Sequence, residues 1–263
     1  AHVSYGVEDL KTHAKLVLVV REEGQGLKRY VHIGTGNYHS ETARMYTDIG
    51  LFTADRVLCD DVSHLFNTLT GYSRFDQYRK LLVAPKTMRR RFLELIHREI
   101  DFARAGRPAR IRAKMNQLED PKIIGRLYEA SQAGVDIDII VRGFCTLRPG
   151  VPGLSERIRV LSVLGRFLEH HRIFIFHNDG NPEYFIGSAD WMTRNLRRRV
   201  EAVAQVENEG CKRELERIMC TYWETDCNAW EMASDGSYQR RAQGSGPCRS
   251  AQDLLMEIET HDE

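Results

Sequence analysis

The chain has 263 residues, 42% of them hydrophobic and 29% charged, with a formal net charge of +1. That length allows one large domain or two ordinary ones, and that composition excludes a disordered or membrane-embedded protein. No apolar run approaches the roughly 20 residues of a membrane span, and the near-neutral balance excludes a protein drawn to polyanions by its overall field.

Val3–Tyr5 reads as a short strand. Lys15–Arg21 and Lys28–Ile33 follow as a hairpin around the Glu22-Glu23-Gly24-Gln25-Gly26 turn. Asn37–Tyr46 reads as an exposed loop or short helix, and Val62, Leu65, Phe66 and Leu69 recur at helical spacing over Asp60–Leu69. Leu81–Ala84, closed by Pro85, opens a second unit. Its elements are a helix over about Lys86–Ala105, a strand at Arg110–Met115, a helix at Pro121–Ala133 and a strand at Val135–Arg142. After the proline–glycine loop Arg148–Gly153, Ser155 is placed to cap a short helix. Strands at Ile173–Phe176 and Tyr184–Gly187 precede a helix over about Lys212–Trp230. From Ala233 onward Ser, Gly, Gln and Arg predict a loose tail with a short helix at Gln252–Glu259.

Strands alternating with helices predict an α/β protein, a mixed sheet flanked by helices. We read it as a first domain over 1–79, a second over 80–232 and a flexible tail over 233–263. The second unit carries helices and strands ahead of its histidine segment, whereas almost nothing precedes His13. The first domain is therefore read as truncated on its N-terminal side, and the opening Ala1-His2-Val3 as the start of a fragment of a longer protein. A sheet missing strands would expose an edge and apolar surface. The six cysteines (59, 145, 211, 220, 227 and 248) show no CxxC pair, so buried, reduced thiols in a cytosolic setting are expected.

Two segments carry the chemistry. His13-Ala14-Lys15 runs into the apolar Leu16–Val20, and His170-His171-Arg172 runs into Ile173–Phe176. In an extended chain residues i and i+2 share a face, so each segment offers an imidazole beside a cation. Each is followed by a small-residue turn, Gly34-Thr35-Gly36-Asn37 and Gly187-Ser188-Ala189-Asp190. Such turns let backbone N–H groups approach an anion, and Asn37 or Asp190 is placed to orient a histidine. A histidine beside a cation can attack phosphorus, and a second one opposite can serve the departing oxygen. Lysine and arginine then neutralise the equatorial oxygens. His32, His171 and His177 read as structural. The basic clusters Arg89–Arg91, Arg107–Lys114 and Arg194–Arg199 read as solvated helix faces or as local fields that steer an anion.

The doubled pattern resembles the phospholipase D superfamily, although the second copy has arginine for lysine and aspartate for asparagine. A closer resemblance covers nearly all of the chain outside the tail. Lys11-Thr12-His13-Ala14-Lys15, His32-Ile33-Gly34-Thr35-Gly36-Asn37-Tyr38, Tyr46-Thr47-Asp48 and Phe66-Asn67-Thr68-Leu69-Thr70-Gly71 are similar to blocks of the histidine-phosphorylating polyphosphate kinase family. So are Lys114-Met115-Asn116-Gln117-Leu118, Arg142-Gly143-Phe144-Cys145-Thr146-Leu147-Arg148-Pro149-Gly150, Leu168-Glu169-His170 and Ser188-Ala189-Asp190-Trp191-Met192-Thr193-Arg194-Asn195-Leu196.

The resemblance implies two phospholipase-D-like domains and reversible transfer of the terminal phosphate of ATP to polyphosphate through a phosphohistidine. His13 matches the phosphorylated histidine, and Lys15 stands beside it. Tyr46, Arg142 and His170 match positions that contact the nucleotide and its phosphates. It further implies ATP and ADP as substrates and Mg2+, whose ligands the sequence does not identify. The expected partners are nucleotide and polyphosphate, with a homo-oligomer for the full-length protein and no specific nucleic acid. A cytoplasmic location follows, with peripheral membrane association as a variant. The family's further domains and an arginine-bearing segment ahead of His13 have no counterpart here, so the fragment alone is expected to bind nucleotide poorly. The alternatives are a phospholipase-D-like phosphodiesterase and an inactive polyanion-binding fragment.

Overall fold

The structure, a computed structural model, describes residues 2–24, 26–72, 77–242, 248 and 250–259. The chain begins with β1 (Lys11–Thr12), β2 (Leu16–Glu23), β3 (Gly26–Gly34), β4 (Tyr46–Thr47), β5 (Gly50–Thr53) and α1 (Arg56–Leu69). The second half runs β6 (Leu81–Ala84), α2 (Met88–Arg104), β7 (Arg110–Met115), α3 (Pro121–Ala133), β8 (Asp136–Val141), β9 (Ile158–Val163), β10 (Leu168–Glu169), β11 (Ile173–Phe176) and β12 (Glu183–Gly187). It ends with α4 (Thr193–Arg198), β13 (Arg199–Val206), α5 (Glu209–Glu224), β14 (Ala229–Met232), β15 (Tyr238–Arg240) and α6 (Ala251–Glu259).

The expected mixed α/β architecture is present. A ten-stranded sheet runs β1-β13-β12-β11-β7-β8-β9-β14-β15, with β6 also paired to β13. The β7–β8 and β8–β9 pairs are parallel and the β11, β12 and β13 ladders antiparallel. Strands β6, β11 and most of β8 and β12 are buried on both faces, which is why they read as unbroken apolar runs. A separate sheet, β2-β3-β5, carries the first histidine segment. Its inner residues Val31 and Ile33 join α1, β6 and β13 in one core. Its outer face leaves Val17, Val19 and Phe52 exposed, Phe52 by 82%.

Of the two helices after β6 and β7, the second is positioned by local chemistry. Asp120 accepts from the backbone N–H groups of Lys122 and Ile123 (both 3.1 Å), Pro121 follows at the first helical position, and Gly134 ends α3 at φ 103°. Between these helices and the sheet, Phe174 lies 4.8 Å from Phe92 and 5.1 Å from Trp191, ring centre to ring centre. Trp191 directly follows Asp190, so this aromatic block fixes one wall of the site.

Several expectations are corrected. Val3–Tyr5 forms no strand and lies exposed, because no neighbouring strand pairs with it among the described residues. The segment after Ser155 is β9, not a helix. The Ser155 hydroxyl closes the preceding loop instead, donating to the Arg148 carbonyl (2.6 Å) and accepting from the Val151 N–H (3.0 Å). Arg199 begins a strand, β13, that lies inside the sheet between β1 and β12. The tail is less loose than expected, since it supplies β15, paired to β14, while the short helix expected at Gln252–Glu259 is present as α6. Gln252 of α6 is buried and its amide donates to the Phe167 carbonyl (2.9 Å) and to Glu169 Oε1 (2.6 Å). The cysteines are not all reduced: Cys227 and Cys248 form a disulfide, their Cα atoms 5.4 Å apart, because the β14–β15 hairpin turns the chain back to the end of α5.

Truncating the aromatic block removes ring area and leaves a cavity. Phe174→Ala is expected to cost about 3–5 kcal/mol of unfolding free energy, read from the urea midpoint; a loss below about 1 kcal/mol contradicts this packing.

Candidate active site

Both histidine segments lie just before their strands, and in each the cation folds back on its own histidine. Lys15 Nζ donates to the His13 carbonyl, and Arg172 Nη1 donates to the His170 carbonyl (2.8 Å). In both copies the cation thus meets its histidine's backbone carbonyl and leaves the imidazole to another partner.

The turns then repeat a second device. Thr35 Oγ1 donates to Asp48 Oδ1 (2.7 Å), and Ser188 Oγ donates to Glu201 Oε2, each carboxylate lying 13 residues beyond its hydroxyl. The backbone N–H groups of Thr35 and Ser188 donate to the carbonyls of Ile49 (2.9 Å) and Ala202 (3.0 Å), one residue beyond each carboxylate. Glycine is required at this turn, since a Cβ on Gly36 would collide with the Asp48 carboxylate.

The carboxylates cross over. His13 Nδ1 meets Glu201 Oε2 at 2.8 Å, and His170 Nδ1 meets Asp48 Oδ1 at 2.7 Å. Each histidine of one half is therefore oriented by the acid of the other. A carboxylate only accepts, so both imidazoles carry a proton on Nδ1. Glu201 is fully buried and is further held by Asn195 Nδ2 (2.6 Å).

Cations converge on these pairs. Lys15 is 4% exposed and feels the charges of Glu201, Arg172, Arg199 and Asp48. Burial pulls its ammonium down to about 8, aided by Arg172 and Arg199, while Glu201 and Asp48 oppose the shift. Arg172, 3% exposed, donates to Asp190 Oδ1 (3.1 Å) and to the Thr35 carbonyl (3.3 Å), tying the second half to the first turn. Arg142, just beyond β8, donates to the Glu169 carbonyl (2.7 Å). Tyr46, in β4, packs its ring 5.0 Å from that of His170. Burial lowers the His170 imidazole below its ordinary range, with Asp48 pulling the other way.

The sequence-predicted residues His13, Lys15, Tyr46, Arg142 and His170 are thus joined through shared partners. Asn37 and Asp190 orient no histidine among the described contacts: Asp190 holds Arg172 and the Asn116 N–H (2.8 Å), and Asn37 offers its carbonyl to the His39 N–H (2.9 Å). The orienting acids, Asp48 and Glu201, are the residues that sequence reasoning missed. Their signal was the shared 13-residue offset from Thr35 and Ser188. Also missed was the support behind His170, where Glu169 accepts from Lys114 Nζ (2.6 Å), Tyr222 Oη (2.7 Å) and Gln252.

Every acid at the site is already engaged: Asp48 and Glu201 by histidines, Asp190 by Arg172, Glu169 by Lys114. No group of three or more metal-type side chains occurs among the described residues. These residues therefore do not make a resident magnesium cage.

Fold and site together define an α/β protein with two histidines paired across its halves. The chain belongs to the polyphosphate kinase family: the model of polyphosphate kinase C-terminal domain 1 matches residues 1–75 and that of C-terminal domain 2 matches residues 81–252. It is 57% identical over 256 residues to a polyphosphate kinase of Thermosynechococcus vestitus, covering 97% of this chain and 35% of that one. It is 52% identical over 258 residues to the Streptomyces coelicolor polyphosphate kinase, again with 97% and 35% covered. The crystal structure of polyphosphate kinase from Porphyromonas gingivalis superposes with a TM-score of 0.91 at 36% identity, covering 97% of this chain and 40% of that one. The chain spans about a third of the length of the curated relatives it matches. No described helix is long and apolar enough to cross a membrane.

Because the folded-state Lys15 value lies below its unfolded one, the site loses this cation as pH rises through about 8. The unfolded chain meanwhile holds its proton up to the ordinary lysine range, so this group makes stability rise across that window. NMR titration of the Lys15 ε-carbon is expected to give a midpoint near 8, absent in Lys15→Met; a midpoint in the ordinary lysine range contradicts the burial argument.

Proposed function

We propose that this chain is the catalytic portion of an ATP:polyphosphate phosphotransferase that works through a phosphohistidine on His13. The observation that supports it best is the crossed pairing, His13 with Glu201 and His170 with Asp48, set among Lys15, Arg142 and Arg172.

In this reading His13 Nε2 attacks the terminal phosphorus of ATP in line. The N–P bond forms as the bond from phosphorus to the ADP oxygen breaks, and the imidazole ring becomes cationic. Glu201, already on Nδ1, stabilises that charge. Lys15, Arg142 and Arg172 neutralise the oxygens of the transferring group, where the charge of a loose transition state resides. His170, aligned by Asp48, serves the nucleotide phosphates opposite, and Tyr46 holds its ring. The terminal oxygen of a polyphosphate chain then attacks the phosphohistidine, the N–P bond breaks, and the polymer is longer by one phosphate. The reverse steps return the phosphate to ADP. Magnesium enters as part of the nucleotide substrate. The substrates are anions of the cytoplasm, and the intact protein works there as a homo-oligomer.

Incubating the intact protein with ATP labelled on its terminal phosphate is expected to leave an acid-labile, base-stable label. His13→Ala should abolish it, and Glu201→Gln should slow its appearance about 100-fold or more, in keeping with loss of an orienting carboxylate. Label that persists in His13→Ala removes that residue from the role. Polyphosphate binding with neither label nor turnover in the unsubstituted protein leaves the binding-only reading in its place.

A further inference from the structure

Beside the paired histidines, but containing neither, lies a groove of about 470 Å³ between the starts of α2 and α3 and the end of α4. Six cations line it, Lys86, Arg89, Arg90, Lys122, Arg126 and Arg197, against one carboxylate, Glu94. Arg90 is paired to Glu94 (2.7 Å), Arg126 to Glu129 (2.7 Å) and Arg89 to Asp120 (3.0 Å). Lys86, Lys122 and Arg197 are exposed and have no carboxylate partner among the described ion pairs. Two helices, of 17 and 13 residues, begin at the groove, the second of them already capped by Asp120.

The groove is tied to the site by a short path. Asp120, buried behind the lining residue Arg89, accepts from Thr193 Oγ1 (3.3 Å) as well as from Arg89, and Thr193 is three residues beyond Asp190, the partner of Arg172. Three residues span at most about 11 Å. On the surface, Lys86 stands two residues beyond Ala84, whose register partner in β13 is Glu201, the acid on His13, so the near edge of the groove adjoins the first histidine.

We infer that this groove binds the body of a linear polyphosphate chain whose reacting end is at His13, so that it selects long chains over short ones. The inference rests on the proposed reaction. Phosphate oxygens at short, regular intervals match cations spread along a groove, each contact releasing counterions. The lining has no Phe, Tyr or Trp and a single aromatic ring, His97, too few for successive bases to stack on, which favours an inorganic polyanion over single-stranded nucleic acid.

The test is equilibrium binding of the full chain to end-labelled polyphosphate of about a hundred phosphates and to tripolyphosphate, over a range of salt. The triple variant Lys86→Gln, Lys122→Gln, Arg197→Gln changes exposed side chains alone. It is expected to bind the long polymer about tenfold or more weakly, with the log–log salt slope reduced by about 2–3, and tripolyphosphate within twofold of the unsubstituted chain. Long-polymer affinity and slope left unchanged overturn the groove while leaving the reaction standing. Failure of the unsubstituted chain to bind any polyphosphate overturns both. Oligodeoxythymidine that binds as tightly, and is weakened in parallel, overturns the choice of polyphosphate.

Discussion

The exchange of carboxylates between the two halves is the constraint on which the rest of the structure depends. Glu201 belongs to the second half yet orients His13, and Asp48 belongs to the first yet orients His170. Neither half therefore contains a complete histidine pair. The exchange needs β13 beside the His13 segment, and the Val200 carbonyl provides it by accepting from the N–H groups of His13 (2.8 Å) and Ala14 (3.0 Å). It also needs β4 beside the His170 segment, which the short parallel β4–β10 pair supplies.

Holding so many charges away from water is costly, and the structure offsets that cost by pairing them. Lys114 and Glu169 are both 2% exposed in their side chains and lie 2.6 Å apart, with Tyr222 and Gln252 satisfying the remaining oxygen positions. Removing one member of such a pair costs about 3–5 kcal/mol, since it leaves the other buried and uncompensated. Lys15 is the exception in the site. It hydrogen-bonds a carbonyl and no carboxylate, and burial lowers its pKa although Glu201 and Asp48 act to hold its charge.

The histidine segments and most of the second half were legible because their signals are local. The strand at Arg110–Met115 and the helix at Pro121–Ala133 have the ends that the sequence predicts, the helix fixed by Asp120, Pro121 and Gly134. The acids were not legible, because what makes Asp48 and Glu201 special is a contact across 122 and 188 residues. The segment Arg197-Arg198-Arg199 looks like a solvated helix, and only pairing with β6 and β12 makes its continuation a buried strand. The tail's polar composition hides its anchors, the β14–β15 pairing, the Cys227–Cys248 disulfide, the core residue Ala251 and the buried amide of Gln252.

The tautomers of the two histidines report most directly on the crossed pairing. Long-range nitrogen–proton correlation spectra of the chain should show His13 and His170 with the proton on Nδ1 and a bare Nε2. Glu201→Gln should perturb the His13 ring nitrogens while leaving those of His170 in place, and Asp48→Asn should do the reverse. A proton on Nε2 in either histidine of the unsubstituted chain, or a perturbation confined to the histidine of the same half as the substituted acid, contradicts the account.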